Sequence, residues 1–201
     1  MPNHCNNKLG ITGPIKDVED FIVIVTNESP AADADKYELF KNLIPMPKAL
    51  EGTTSPSKEN DEELLSQYGA DNWYDWCNTN WGTKWGDYNL SAENIEYITE
   101  IKYPVLENGD KDYDNGVSVL TDYASIHFEY DTAWAPGCNE LADAIINRFP
   151  TLNGFIAYEE PGMCFAGHLI FSEGKIVVDE QWEYHNKIDD VSDVDFDQFG
   201  E

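Results

Sequence analysis

The chain of 201 residues carries 39 Asp and Glu against 12 Lys and Arg, a formal net charge of −27. Such a field repels phosphate backbones and anionic lipid, so it argues against an ordinary nucleic-acid-binding or membrane-surface protein, and it attracts cations and basic proteins. With 41% apolar residues and six Trp, the chain can bury a real core, which excludes a disordered acidic polymer.

From the N-terminus, residues 5–12 read as a first strand ending at Gly13-Pro14. Pro14 suits a first helical turn, where its missing N–H costs nothing, and Asp17, Glu19 and Asp20 complement the positive end of the helix. Ile15, Val18, Ile22 and Val25 recur at near-helical spacing as far as Asn27, although the β-branched run 21–26 also fits a strand. Residues 28–72, with NESP, IPMP and EGTTSPSKENDEE, predict an irregular excursion holding a short helix over 37–43. A further helix over 72–80 places Trp73, Cys77 and Trp81 at i, i+4 and i+8.

Residues 125–130 alternate, with Ile126, Phe128 and Tyr130 on one face and His127 and Glu129 on the other. Pro136 opens a helix reaching 149, striped by Leu141, Ala144, Ile145 and Phe149 and stopped by Pro150. Strands follow over 154–160, 164–171 and 175–184, joined by the turns Glu160-Pro161-Gly162 and Ser172-Glu173-Gly174. This order predicts an α+β sandwich, an antiparallel-rich sheet with two helices on one face. Residues 1–187 then form a single domain with a Trp-rich helical insertion at about 28–120. Residues 188–201, with six acids and no base, form a mobile acidic tail.

The string WYDWCNTNWGTKWGDY gathers Trp73, Tyr74, Trp76, Trp81, Trp85 and Tyr88. Such density predicts a mini-core pinning the insertion onto the sheet. The functional alternative is an aromatic surface, Trp73, Trp76, Trp81 and Trp85, that stacks on a ligand or docks a partner. The turn 80–84, with Lys84, is also a weak candidate anion nest. Asp110, Asp112 and Asp114 are spaced like the start of an EF-hand loop. The glycine arrives one residue late at Gly116, however, and Thr121 stands where the loop needs Glu. Asn115-Gly116 signals a hairpin turn, so an acidic hairpin tip is expected there and no metal.

His127 and Glu129 share a face with Ser125, and His168 lies near Glu159 and Glu160; a histidine beside a carboxylate can act as a general base. No phosphate loop, HExxH motif or GxSxG elbow accompanies them, so no catalytic residue and no cofactor is assigned. The expected open sheet faces carry Glu129, Asp179, Gln181 and Glu183, which argues against direct RNA binding. The opening MPNHCNNKLG has neither the basic nor the apolar stretch of a secretory signal, and no apolar run approaches a membrane span. A cytoplasmic protein is expected, with Cys5, Cys77, Cys138 and Cys164 reduced; a zinc site on His4, Cys5 and a distant Cys is the alternative.

Several strings occur together in order: MPNHCNNKLGITGP, IPMP, WYDWCNTNWGTKW, FEYDTAWAPG and EEPGMCFAG. They resemble the YubB-like proteins of phages and plasmids, whose C-terminal part is a ferredoxin-like domain. The resemblance spans most of residues 1–185 and implies a ferredoxin-like fold and a mobile-element origin, hence a host-cell cytoplasm. The word names a fold, and the widely separated cysteines lack the spacing of iron–sulfur ligands. It supplies no catalytic residues, and the tail lies outside it.

A compact domain of this length is about 40 Å across, and that length of duplex DNA carries about 24 charges. The charge density is thus DNA-like. The leading expectation is a phage-type accessory protein that binds and inhibits a basic host or viral protein, a DNA-binding protein among the candidates, as a DNA mimic used in host takeover or anti-defence. The acidic contacts would be Asp110, Asp112, Asp114, Asp189, Asp190, Asp193, Asp195 and Asp197. The aromatic ones would add Phe196 and Phe199 of the tail, which is similar in composition to the acidic, aromatic-ended tails of single-stranded-DNA-binding proteins. Two rivals stand beside it: a small-ligand module or enzyme using the Trp-rich insertion, and a scaffolding protein whose acidity only solubilises. A clustered acidic face favours the first reading, an aromatic pocket with a convergent His or carboxylate the second, and a large apolar oligomer interface the third.

Overall fold

Alternate side chains of the first strand, β1 (His4–Pro14), are buried: Cys5, Asn7, Leu9, Ile11 and Gly13. The chain turns directly at Pro14 (φ −53°) into α1 (Ile15–Val25), whose Val18, Phe21 and Val25 face the same core. The β-branched run is therefore helical, because its apolar residues have a sheet face to cover. Thr26 ends the helix by donating its hydroxyl to the Ile22 carbonyl (2.6 Å). The computed structural model describes residues 3–27, 36–57 and 61–183. The tail acids Asp189, Asp190, Asp193, Asp195 and Asp197, with Phe196 and Phe199, lie outside the described residues.

Between α1 and the next strands the described residues form the α-helices α2 (Leu39–Leu43), α3 (Glu62–Tyr68) and α4 (Trp73–Asn80), with a short 3-10 turn at Lys48–Leu50. Asp61 caps α3 through the Glu63 and Leu64 N–H groups, and Asn72 caps α4 through Asp75 N–H. Two strands follow, β2 (Tyr88–Ala92) and β3 (Glu96–Lys102), which sequence periodicity does not announce. Both pair antiparallel with β4 (Val117–Ala133), β3 along its first half and β2 along its second. The span 28–120 is thus not purely helical: it contributes two strands to the sheet.

The second half of β4 also pairs with β1, and α5 (Cys138–Arg148) leads to β5 (Asn153–Glu160) on β1's other side. Then β6 (Phe165–Ser172) and β7 (Lys175–Glu183) extend the sheet as a meander. The order is β2-β4-β1-β5-β6-β7 with β3 also on β4, every pairing antiparallel. Setting the meander aside, β1-α1-(β2, β3)-β4-α5-β5 is the split βαβ arrangement of a ferredoxin-like fold. Phe21 and Phe128 meet edge-to-face at 6.0 Å, and Phe21 and Phe149 at 5.8 Å, so α1, β4 and the end of α5 share one core.

The face of β7 differs from expectation. Asp179 pairs with Leu169, Gln181 with Gly167 and Glu183 with Phe165, which places all three on the helix side. The open side instead carries Glu180 and Trp182, opposite His168 and Ala166. A register shift between Ile170 and Phe171 is the cause, since one extra residue reverses every side chain beyond it. Glu129 does stand on the open side, paired with Lys8 at 3.3 Å.

Candidate functional site

Two loci away from the shared core of the sheet concentrate chemistry. The first is a two-stranded arm made of β3, the first half of β4 and the connection 103–116. A lone ribbon has no second layer on which to bury side chains. Here Ile101 (60%), Val105 (70%), Tyr113 (71%), Val117 (60%) and Leu120 (57%) stand exposed. The same span holds seven carboxylates, Glu96, Glu100, Glu107, Asp110, Asp112, Asp114 and Asp122, against Lys102 and Lys111.

Asp110, Asp112 and Asp114 all sit in the connection at the arm's end, so the structure brings these expected residues together. Asp110 accepts from the Asn108 amide (2.7 Å), and Asp112 accepts from Asp114 N–H (3.2 Å) and the Asn115 amide (2.7 Å). Asn115-Gly116 is not the reversing turn, for Gly116 has φ −62°. The chain reverses at 106–110, where Gly109 takes φ 88° and its N–H reaches the Leu106 carbonyl.

The second locus is a cleft of about 850 Å³ beneath the Trp-rich string. Its walls are Trp73, Trp81, Trp85 and Tyr88, with Met46, Cys77 and Thr53 between them and His4, Lys41, Glu51 and Asp87 at its polar points. Trp76 and Trp81 are buried, 5% and 4% exposed, and meet edge-to-face at 5.5 Å. The Trp81 indole N–H donates to the Ile44 carbonyl (2.9 Å), and Thr83 donates to Ala133 O (2.8 Å), fixing the string to α2 and to β4. Trp73 is half-buried and Trp85 is exposed at 38%. Of the four expected aromatic contacts, then, Trp76 serves the core, Trp81 serves core and cleft wall together, and Trp73 and Trp85 present surface to the cleft.

Asp87 was not singled out by its sequence context, yet it organises this site. Its carboxylate accepts from Leu39 N–H (3.0 Å) and Phe40 N–H (2.8 Å), holding α2 against the string. Burial pushes its pKa above the ordinary 3.8, the two backbone donors opposing. His4 Nδ1 lies 2.8 Å from the Tyr88 hydroxyl at the cleft's other end. Lys84, expected in an anion nest, is instead enclosed by aromatic rings. Its Nζ lies 4.7 Å from the Trp85 centroid, 4.6 Å from Trp134 and 5.8 Å from Tyr74. The Glu140 carboxylate stands against Gly82 of the same turn.

His127 Nδ1 is 3.4 Å from the Glu93 carboxylate, both exposed on the open sheet face, and His168 stacks edge-on against Trp182 at 5.5 Å. Glu160 is buried and accepts from Gly162 N–H (3.1 Å) and Met163 N–H, closing the turn before β6. Among the described residues, no group of three or more His, Cys, Asp and Glu is placed to hold a metal ion. Among them also, no helix is long and apolar enough to cross a membrane.

Burial pushes the Cys5 and Cys138 thiols up to about 12 and Cys77 up to about 11, whereas Cys164 is exposed. A thiol reagent added to the native protein should therefore modify Cys164 rapidly and the other three only on unfolding. Counting labelled sites by intact mass checks this; prompt labelling of Cys5 or Cys138 would show that the core opens readily.

Comparison with known proteins places the fold. Residues 109–198 match the family model described as a ferredoxin-like domain in Api92-like protein, which takes in β4, α5 and the meander. The crystal structure of a protein api92 from Yersinia pseudotuberculosis superposes with a TM-score of 0.51 at 12% identity, covering 93% of this chain and 99% of that one. No curated protein matches. At that identity the likeness is one of fold, and the chain contains a ferredoxin-like domain of the kind found in Api92-like proteins.

Proposed function

We propose that this is a non-catalytic, phage-type acidic accessory protein that binds a basic host or viral protein, a DNA-binding protein foremost, and inhibits it by occupying its nucleic-acid surface. The observation that carries the reading is the arm: apolar side chains exposed at 57–71%, within a span holding seven carboxylates and two lysines. Ile101 and Leu120 share one face of the ribbon and Val117 stands on the other, so the arm offers apolar side chains to a partner that clasps it. Carboxylates around them select a basic partner and speed its approach, while they repel a second copy of this chain. The resemblance to YubB-like proteins of mobile elements supports the setting, a host-cell cytoplasm.

Direct binding of nucleic acid does not fit the open sheet face. It offers Phe155 and Trp182 for stacking, but its central lysine, Lys8, is paired with Glu129, Lys175 stands out on the edge strand, and Glu93, Glu159 and Glu180 share the face.

The test is capture of a partner from host lysate, followed by kinetics with the purified partner at rising salt. Exposed charges are screened beyond about 10 Å at 0.1 M, so affinity should fall steeply between low and moderate salt. Replacing Asp110, Asp112 and Asp114 with Asn together should slow association, about tenfold at low salt, more than it speeds dissociation. The protein should also release the partner from a labelled duplex without shifting the duplex itself. An interaction indifferent to salt, or a ternary complex holding DNA at full affinity, overturns the proposal.

A further inference from the structure

The aromatic cleft is separate from the arm, whose residues carry the proposed partner binding. Its volume, about 850 Å³, is in the range of small-molecule sites. We propose that it binds an organic cation, an ammonium group bearing methyl or methylene substituents, held against the faces of Trp73, Trp85 and Tyr88.

Three observations point to that chemistry. First, the walls are electron-rich rings, and Trp and Tyr faces attract a desolvated cation more strongly than they attract a neutral group of the same shape. Second, the charge inside is unbalanced toward the negative. Lys41 is held by Glu38, which leaves the carboxylates of Asp87 and Glu51. Asp87 is satisfied by backbone N–H groups, and among the described residues no Lys, Arg or His forms an ion pair with it. A cation entering the cleft meets a largely enclosed carboxylate that has donors but no countercharge. Third, the chain itself uses one of these rings in this way: Lys84 brings its ammonium to 4.7 Å from Trp85, a wall of the cleft, and to 4.6 Å from Trp134 outside it.

A bare inorganic cation does not suit the site, because its hydration shell would have to be stripped by rings and a single enclosed carboxylate. An anion would meet Asp87 and Glu51 under the field of a chain of net charge −27. An apolar-bodied ammonium satisfies both the rings and the carboxylate.

The test uses the full chain at physiological ionic strength, with choline as probe and its neutral isostere 3,3-dimethyl-1-butanol beside it. Binding is read by quenching of tryptophan fluorescence and by calorimetry. Choline should bind saturably, and the isostere should bind about thirtyfold more weakly, as removal of a cation–π contact of about 2 kcal/mol requires. Trp85→Leu should lose choline binding by a similar factor while its near-UV circular dichroism away from the lost ring and its unfolding midpoint stay near wild type. Potassium and ammonium chloride at matched concentration should leave the fluorescence unchanged. Equal binding of the two isosteres would show an apolar slot without charge preference. Choline binding that survives Trp85→Leu would place the cation elsewhere on the acidic surface. An absence of saturable binding would remove the proposal. Each of these three results overturns it, and none bears on the arm, whose test reads a protein partner.

Discussion

Replacing Trp81 with Ala should destabilise the protein by about 3–5 kcal/mol, the range for truncating a large buried aromatic side chain. The side chain is 4% exposed and lies edge-on to Trp76 at 5.5 Å and to Phe40 at 6.1 Å, so its removal opens a cavity at the junction of α2 and α4. The change also leaves the half-buried Ile44 carbonyl without its indole donor, and the lost hydrogen bond adds to the cost. Trp85, 38% exposed, provides the contrast: Trp85→Ala should cost about 1 kcal/mol or less, as substitutions away from the core do. Urea denaturation of the two variants beside wild type reads the difference. If Trp81→Ala kept its stability to within about 1 kcal/mol, the string would not be pinning the insertion, and its aromatic density would need another explanation.

The frame was legible where a segment has one buried and one solvated face. β1, the second half of β4 and α5 announce themselves because Leu9 and Ile11, Phe128 and Tyr130, and Leu141 and Ile145 all point into one core. The arm was not legible for the converse reason. Val117, Leu120 and Ile101 are exposed apolar residues, so alternation there carries no burial signal, and β3 has β4 as its one pairing strand among the described residues. Asn115-Gly116 then drew attention to the wrong turn, because Gly109 supplies the positive φ. The helix-side placement of Asp179 and Gln181 follows from a bulge, which leaves no trace in a run as uniformly polar as 179–181. The cleft is a product of distance in sequence: His4, Met46, Trp73 and Asp87 come from four segments. The Trp-rich string pointed to one wall of it, but Asp87 looked like any of 39 acids.

Gly137→Ala should destabilise by roughly 2–5 kcal/mol, summing about 1–2 for a left-handed L-residue and about 1–3 for overpacking. Gly137 stands at the N-cap of α5 with φ 61°, and a Cβ there would lie 2.1 Å from the Trp81 carbonyl oxygen and 3.0 Å from the Phe40 ring. Backbone meets backbone at this point, so no side-chain rotation relieves the contact. Either α5 shifts along the sheet or the Trp-rich string lifts away from it. The second course separates Trp81 from α2 and dismantles the cleft wall, whereas the arm, hinged on β4 and remote from this contact, keeps its strands. Thermal unfolding followed in the near-UV should therefore show a lower midpoint with weakened tryptophan bands. Choline binding should fall with those bands, and salt-dependent partner binding should persist at temperatures where the sheet is intact. A Gly137→Ala variant with wild-type midpoint and wild-type tryptophan bands would mean that the string does not rest on the start of α5, and that the cleft draws its shape from the insertion alone.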